Sequence, residues 1–245
     1  MKINLQFFTI KSKSKKNIFI LYLFFSLCFW LFADIAISKE DESARLEKGE
    51  ILLSKTSMIG FDKVNRRRDK AIILINAPIS RVIETILDHN HYPEFMPSVT
   101  KCKIVKETKT TRVTAYRIKM GVMKVFCHLR WIFDLEEINF KKKHPEKIHL
   151  DCFLDNNFPA NVADIQGTWD LEPLSDNTQT KVTYTVYMKS GRLIPKFIES
   201  YISRKQLPEI MKNVRNRVMS GGIWKKGDKN LIISEKAFPK CQEIT

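Results

Sequence analysis

The segment from Val122 to Leu135 constrains this chain more than any other. Every second residue in it is apolar (Met123, Val125, Cys127, Leu129, Trp131, Phe133, Leu135), while Lys124, His128, Arg130 and Asp134 alternate with them. A helix, with about 3.6 residues per turn, would scatter that pattern around its axis. Period two over this length predicts a long strand with one buried and one wet face. Such a strand needs partners, and the flanking sequence supplies them. Runs rich in Val, Ile, Thr or aromatic residues at 49–55, 69–76, 99–106, 112–120, 147–154, 165–172 and 180–189 read as further strands. Three of these repeat the alternation, with Ile148, Leu150, Cys152 and Leu154, then Gly167, Trp169 and Leu171, then Val182, Tyr184, Val186 and Met188. The result is an antiparallel meander with one apolar concave face.

Helices bracket that meander. The first follows Ala77-Pro78, where proline suits the first turn, shows Val82, Ile83, Ile86 and Leu87 on one side, and ends near Asp88. A loop from His91 to Pro97 comes next, and its prolines at 93 and 97 preclude a long helix. The last helix begins near Pro195 and places Phe197, Ile198, Tyr201 and Ile202 on one face. Pro208 then removes a backbone donor, and Leu207, Met211, Val214 and Val218 set a second register, so one long helix kinked or broken near Pro208 is expected. Residues 220–245 read as a polar, loosely attached tail.

This is an α+β pattern: a sheet of about seven strands and a long amphipathic helix that must bury its apolar side against the concave face. The inward set is Met123, Cys127, Leu129, Trp131, Phe133, Leu150, Trp169, Tyr184, Val186 and Met188, with Tyr116 beside it and Phe197 and Tyr201 facing it from the helix. Aromatic and Met side chains at these positions fit two outcomes, a filled core or an apolar ligand cavity.

Composition separates the N-terminus from this domain. The chain has 42 Lys plus Arg against 27 Asp plus Glu, a net charge of +15, and 44% hydrophobic residues. The apolar fraction excludes a disordered chain, and the positive surplus suggests an anionic partner. Residues 1–38 hold five of the Lys, then an uncharged apolar run from Ile18 to Ala33, then Ala36-Ile37-Ser38. That order is the pattern of a secretory signal peptide cleaved after Ser38. Retention of 18–33 as a membrane anchor is the alternative, although the run falls short of the roughly 20 residues of a bilayer span. In either case the rest of the chain, at +11, is expected outside the cytoplasm, with 39–47 as a lead-in. Phe25-Ser26-Leu27 before Cys28 lacks the small residues of a lipidation site.

Reactive constellations are sparse. No HExxH, GxSxG or phosphate loop occurs, so metal and acyl-transfer chemistry are disfavoured, and no cofactor is expected. His89-Asn90-His91 reads as a polar helix end, His128 lies on a wet face, and His144 and His149 flank a hairpin. Asp155-Asn156-Asn157 is either a turn or a polar cavity entrance. Cys127 and Cys152 sit on facing apolar strands, either as two buried thiols or, in one register, as a disulfide. Lys63, Arg66, Arg67, Arg68 and Lys70 form a cationic cluster, either a solvated loop or a patch for anionic lipid headgroups. Nucleic acid is disfavoured, since the patch has no interleaved aromatics.

The run Ile75-Asn76-Ala77-Pro78-Ile79-Ser80-Arg81-Val82-Ile83-Glu84-Thr85-Ile86-Leu87-Asp88, followed by Tyr92-Pro93-Glu94-Phe95-Met96-Pro97, resembles the opening signature of the START-like superfamily. That superfamily includes polyketide cyclases, coenzyme Q-binding START proteins and pathogenesis-related plant allergens. Further matches are Gly167-Thr168-Trp169-Asp170-Leu171-Glu172-Pro173, Thr180-Lys181-Val182-Thr183-Tyr184, Gly191-Arg192-Leu193-Ile194-Pro195 and Leu207-Pro208, so the likeness spans 48–219. The resemblance implies a helix-grip fold with an apolar tunnel under the C-terminal helix, and it places Tyr92, Phe95 and Met96 at the tunnel mouth. It implies binding of a lipid, isoprenoid or quinone, with transport as the extension of that role. A cyclase or dehydratase on a hydrophobic substrate, with Tyr184 or Asp155–Asn157 in the tunnel, and a ligand-free interaction domain remain alternatives.

Overall fold

The computed structural model describes residues 41–59, 63–133, 147–192 and 194–229. The signal or anchor segment, Leu135, His144, Cys241 and the tail from 230 onward lie outside the described residues. The chain divides between Arg45 and Leu46, and of the first part residues 41–45 are helical. Everything below concerns the second part.

Eight strands form one antiparallel sheet, β1 (Leu52–Ile59), β2 (Asn65–Ile75), β3 (Val99–Glu107), β4 (Thr111–Met120), β5 (Met123–Ile132), β6 (Ile148–Leu154), β7 (Val162–Leu174) and β8 (Gln179–Ser190). Their order is β1-β2-β8-β7-β6-β5-β4-β3, so the strands from β3 to β8 run as the expected meander and the β1–β2 hairpin adds to its last strand. The sheet has eight strands rather than about seven because 49–55 and 69–76 each form a full strand and pair with each other.

Between β2 and β3 the chain crosses the sheet through α1 (Ile79–Leu87), a 3-10 turn (His89–His91) and the single-turn α2 (Tyr92–Phe95). Pro78 stands at the N-cap, and the Ile79 N–H is satisfied by the Asn177 side chain at 3.0 Å. Val82, Ile83 and Ile86 are fully buried, as their spacing required.

The C-terminal helix is α3 (Phe197–Tyr201), a π-helical turn (Ile202–Gln206) and α4 (Leu207–Met219) without interruption. Proline at 208 has no N–H to donate back, and widening the preceding turn absorbs that loss without a break. After the wider turn Leu207, Met211, Val214 and Val218 face the core; before it Ile198 is buried, while Phe197, at the first position of α3, is 64% exposed. The tail is anchored rather than loose as far as residue 228. Trp224 is buried, its carbonyl accepts from Arg217 at 2.9 Å, and the Lys226 N–H reaches the Glu94 carbonyl at 2.9 Å.

The convex face is polar and ion-paired. His149 sits between Asp151 (3.1 Å) and Asp170 (2.6 Å), whose hydrogen bonds push it up to about 10. Period two splits the arginine run: Arg68 is buried on this face and donates to Gln166 at 2.7 Å, Arg66 lies near Asp164, and Arg67 projects exposed from the other face. These three residues therefore do not make one cationic patch.

Candidate functional site

One apolar cavity of about 150 Å³ lies between the concave face and the C-terminal helix. β4 contributes Tyr116, Ile118 and Met120, and β5 contributes Val125, Cys127, Leu129 and Trp131. β7 adds Ile165 and Trp169, and β8 adds Tyr184, Val186 and Met188. Tyr92, Met96, Pro97 and Val99 close one side, and Ile202, Gln206 and Ile210 form the roof.

Ten of the inward residues named from sequence thus surround one space: Tyr92, Met96, Tyr116, Cys127, Leu129, Trp131, Trp169, Tyr184, Val186 and Met188. Phe95, Phe133 and Leu150 are packed into the solid core instead. Met123 is only half-buried, Tyr201 accepts a hydrogen bond from Gln206 at 3.2 Å off the wall, and Phe197 faces solvent. Ile118, Met120, Val125 and Ile165 were missed although each continues an alternation already visible. Gln206 had no such signal, because a π-helical turn aims it inward.

The polar atoms of the wall are mostly spoken for. Tyr92 donates to the Ile86 carbonyl at 2.5 Å, and the Trp131 indole donates to Thr114 at 3.0 Å. The Tyr116 hydroxyl is buried without a partner among the described residues. Tyr184 is stacked on Trp169 with ring centroids 4.1 Å apart, and its hydroxyl makes no hydrogen bond among the described residues. Gly167 makes this stack possible, since a Cβ there would lie 2.9 Å from the Cys152 sulfur and 3.3 Å from the Tyr184 ring. Burial pushes the Tyr92, Tyr116 and Tyr184 phenols up, and the Cys127 and Cys152 thiols up to about 12. All of them are neutral near neutral pH, which suits an apolar guest and leaves no thiolate nucleophile.

Cys127 and Cys152 are free thiols. Trp131 pairs with Cys152, four positions along β5 from Cys127, so the register that would oppose the two cysteines is not formed. Asp155–Asn157 is a turn, with the Asp155 carboxylate accepting from the Asn157 N–H at 3.1 Å and from Arg130 at 2.8 Å, away from the cavity. Among the described residues no cluster of His, Cys, Asp and Glu is arranged to hold a metal ion.

His89 is not a polar helix end but a fully buried ring behind the cavity wall. It packs edge-on against Trp131 at 4.6 Å, and Arg112 donates to its Nδ1 at 2.9 Å while also reaching the Leu87 carbonyl at 2.6 Å. Nδ1 is thereby the acceptor, which leaves the proton on Nε2, a buried atom without a partner among the described residues. Desolvation first, and the Arg112 charge second, lower its pKa to about 3.

A helix-grip sheet enclosing an apolar cavity defines the class of START-like proteins. Residues 69–215, more than half of the chain, match the family described as polyketide cyclase / dehydrase and lipid transport, and the chain belongs to that family. No curated protein matches it by sequence. Among solved structures, a STAR-related lipid transfer protein from Xanthomonas axonopodis is 16% identical, covering 69% of this chain and 93% of its own, with a TM-score of 0.55. Human StAR-related lipid transfer protein 5 is 12% identical over 80% of this chain and 98% of its own, with a TM-score of 0.52. A protein from Thermus thermophilus is 17% identical over 63% of this chain and 98% of its own, with a TM-score of 0.51. At these identities the likeness establishes the fold.

Proposed function

We propose that the chain binds and carries a hydrophobic small molecule, such as a lipid, an isoprenoid or a quinone, in this cavity. The observation that carries the reading is the wall itself, mostly aromatic and aliphatic, with the Tyr116 hydroxyl and the Tyr184 hydroxyl beside Trp169 as polar handles that make no hydrogen bond among the described residues. The volume sets a size. A dry engineered cavity of about 150 Å³ takes up benzene, so the enclosed part of the guest is a ring or a short branched segment. Longer guests extend past Met188 and Ile202, which are half-exposed. Each methylene removed from water contributes about 0.8 kcal/mol before ordering costs, so binding needs no chemistry.

The family description also covers cyclases and dehydrases. Such a reaction here would rest on Tyr184, but burial holds its proton tightly, which disfavours general acid–base work near neutral pH. A ligand-free interaction domain accounts less well for a void walled by aromatic rings.

The N-terminal pattern supports export, with residues 18–33 as a cleaved signal or a retained anchor, so the guest would be met outside the cytoplasm. Of the arginine run, Arg67 is the member free to meet an anionic headgroup. Organic extracts of the purified chain, compared with extracts of a Val186→Phe variant by mass spectrometry, test the reading. Enrichment of one hydrophobic species in the parent alone is expected, and identical extracts would contradict it.

A further inference from the structure

A second pocket, of about 270 Å³, lies on the opposite side of the sheet from the apolar cavity. Period two turns Arg68 of β2, His149 and Asp151 of β6, and Gln166 and Thr168 of β7 to this convex face, and Met58 and Ile59 of β1 flank them. Arg68 is 3% exposed, yet its guanidinium is short of partners. Nη2 donates to the Gln166 side-chain oxygen at 2.7 Å, while Nε is buried without a partner and Nη1 makes no hydrogen bond among the described residues. The Thr168 hydroxyl is a second buried polar group without a partner among the described residues.

The carboxylates nearby are committed elsewhere. Asp151 makes no ion pair with Arg68 and holds His149 Nε2 at 3.1 Å instead, while His149 Nδ1 meets Asp170 at 2.6 Å. Asp164 accepts from the Gln166 amide at 3.2 Å and lies 3.6 Å from Arg66. Asp151 and Asp170 together keep His149 protonated near neutral pH, with its pKa pushed up to about 10. The pocket wall therefore carries two cations, Arg68 and His149, against one carboxylate, Asp151. Desolvation lowers the Arg68 pKa more than the Asp151 charge raises it. A guanidinium withdrawn from water at this depth is costly unless its N–H groups are paired. An arginine that served packing alone would meet that cost with a carboxylate, and here it has one amide oxygen.

We propose that this convex pocket binds a small oxyanion, a carboxylate or a phosphate, held by Arg68 with the Thr168 hydroxyl as a further donor. Both kinds of anion offer a guanidinium the charge-assisted hydrogen bonds it lacks here. Met58, half-buried, and Ile59, 70% exposed, present an apolar flank to whatever the anion is attached to, so a short hydrocarbon tail fits beside it. Arg68 and Thr168 face away from Tyr184 and Val186 on the same sheet, so the site stands or falls apart from the reading of the apolar cavity.

The test is calorimetric titration of the full chain with sodium phosphate and, separately, sodium butyrate, at an ionic strength held constant with sodium chloride. A saturable site for at least one of them is expected, and the anion that saturates it identifies the class. Arg68→Gln should weaken that binding about tenfold or more through the lost charge-assisted hydrogen bonds. Arg67→Gln makes the same charge change on the exposed opposite face and should leave the affinity unchanged. Thr168→Val keeps the side-chain shape and should weaken binding about threefold. The absence of saturable binding for both anions would overturn the proposal. So would an affinity equal to the parent's in folded Arg68→Gln or, where that variant does not fold, in Thr168→Val.

Discussion

The concave face has two halves built on the same strands but from different residues. Toward β2 and α1, Ile73, Ile75, Val82, Ile83, Ile86, Leu150 and Leu171 are wholly removed from solvent. Toward the β4–β5 turn, Tyr116, Met120, Cys127, Trp169, Tyr184 and Met188 surround about 150 Å³ of free space. Branched aliphatic side chains interdigitate and fill. Flat rings and unbranched Met line the space as panels, and two stacked rings cannot also close the gap behind them. A filled core and a ligand cavity were both open readings of the aromatic stripe. The structure contains each of them, side by side, with rings and Met concentrated around the space and branched aliphatics on both sides of the border.

The widest contrast between the halves concerns stability. Ile83→Ala, in the solid half, should cost about 2–5 kcal/mol in urea unfolding, the usual range for a cavity opened in a close-packed site. Met188→Ala removes atoms that already face a void and half-exposed wall, so about 1 kcal/mol or less is expected. Equal losses would erase the distinction.

His89 links the halves through pH. Its imidazole takes a proton near 6.5 when unfolded and near 3 when folded, so between those values the unfolded state holds the extra proton. Stability therefore falls as pH falls through this window, by about 2 kcal/mol from pH 7 to pH 5. His89→Gln, which keeps an acceptor for Arg112, should flatten that slope. A slope unchanged in the variant would assign the acid sensitivity to other groups.

At the border stands Gly167. Gly167→Ala forces a methyl against the Cys152 sulfur and the Tyr184 ring, and about 1–2 kcal/mol of destabilisation is expected together with a changed Trp169 fluorescence as the stack shifts. The smallest effect belongs to Tyr184→Phe, which should leave stability within about 0.5 kcal/mol because its hydroxyl makes no hydrogen bond to the described residues. A guest bearing a hydrogen-bonding oxygen should nevertheless bind this variant about fivefold more weakly.

The strands were legible because period two is a local property, and each of the expected segments overlaps a strand of the sheet. The features that escaped depend on distant residues. His89 reads as polar until Arg112 arrives from β4 to occupy one ring nitrogen. Phe197 shares a helical face with Ile198 in sequence, yet it stands at the first position of α3 and is 64% exposed while Ile198 is buried. Phe95, Phe133 and Leu150 point inward as their spacing says, but whether an inward residue fills or lines depends on how near α1 and α4 approach it. Nothing in the periodicity of a single strand encodes that distance.

The central claim is that the hollow half receives an apolar guest. Titrating the full chain with a fluorescent fatty acid, in parallel with Val186→Phe, tests it most directly. A single saturating site is expected in the parent, lost when the phenyl ring occupies the cavity, with folding retained. Equal saturable binding by both proteins would place the probe elsewhere and contradict the claim.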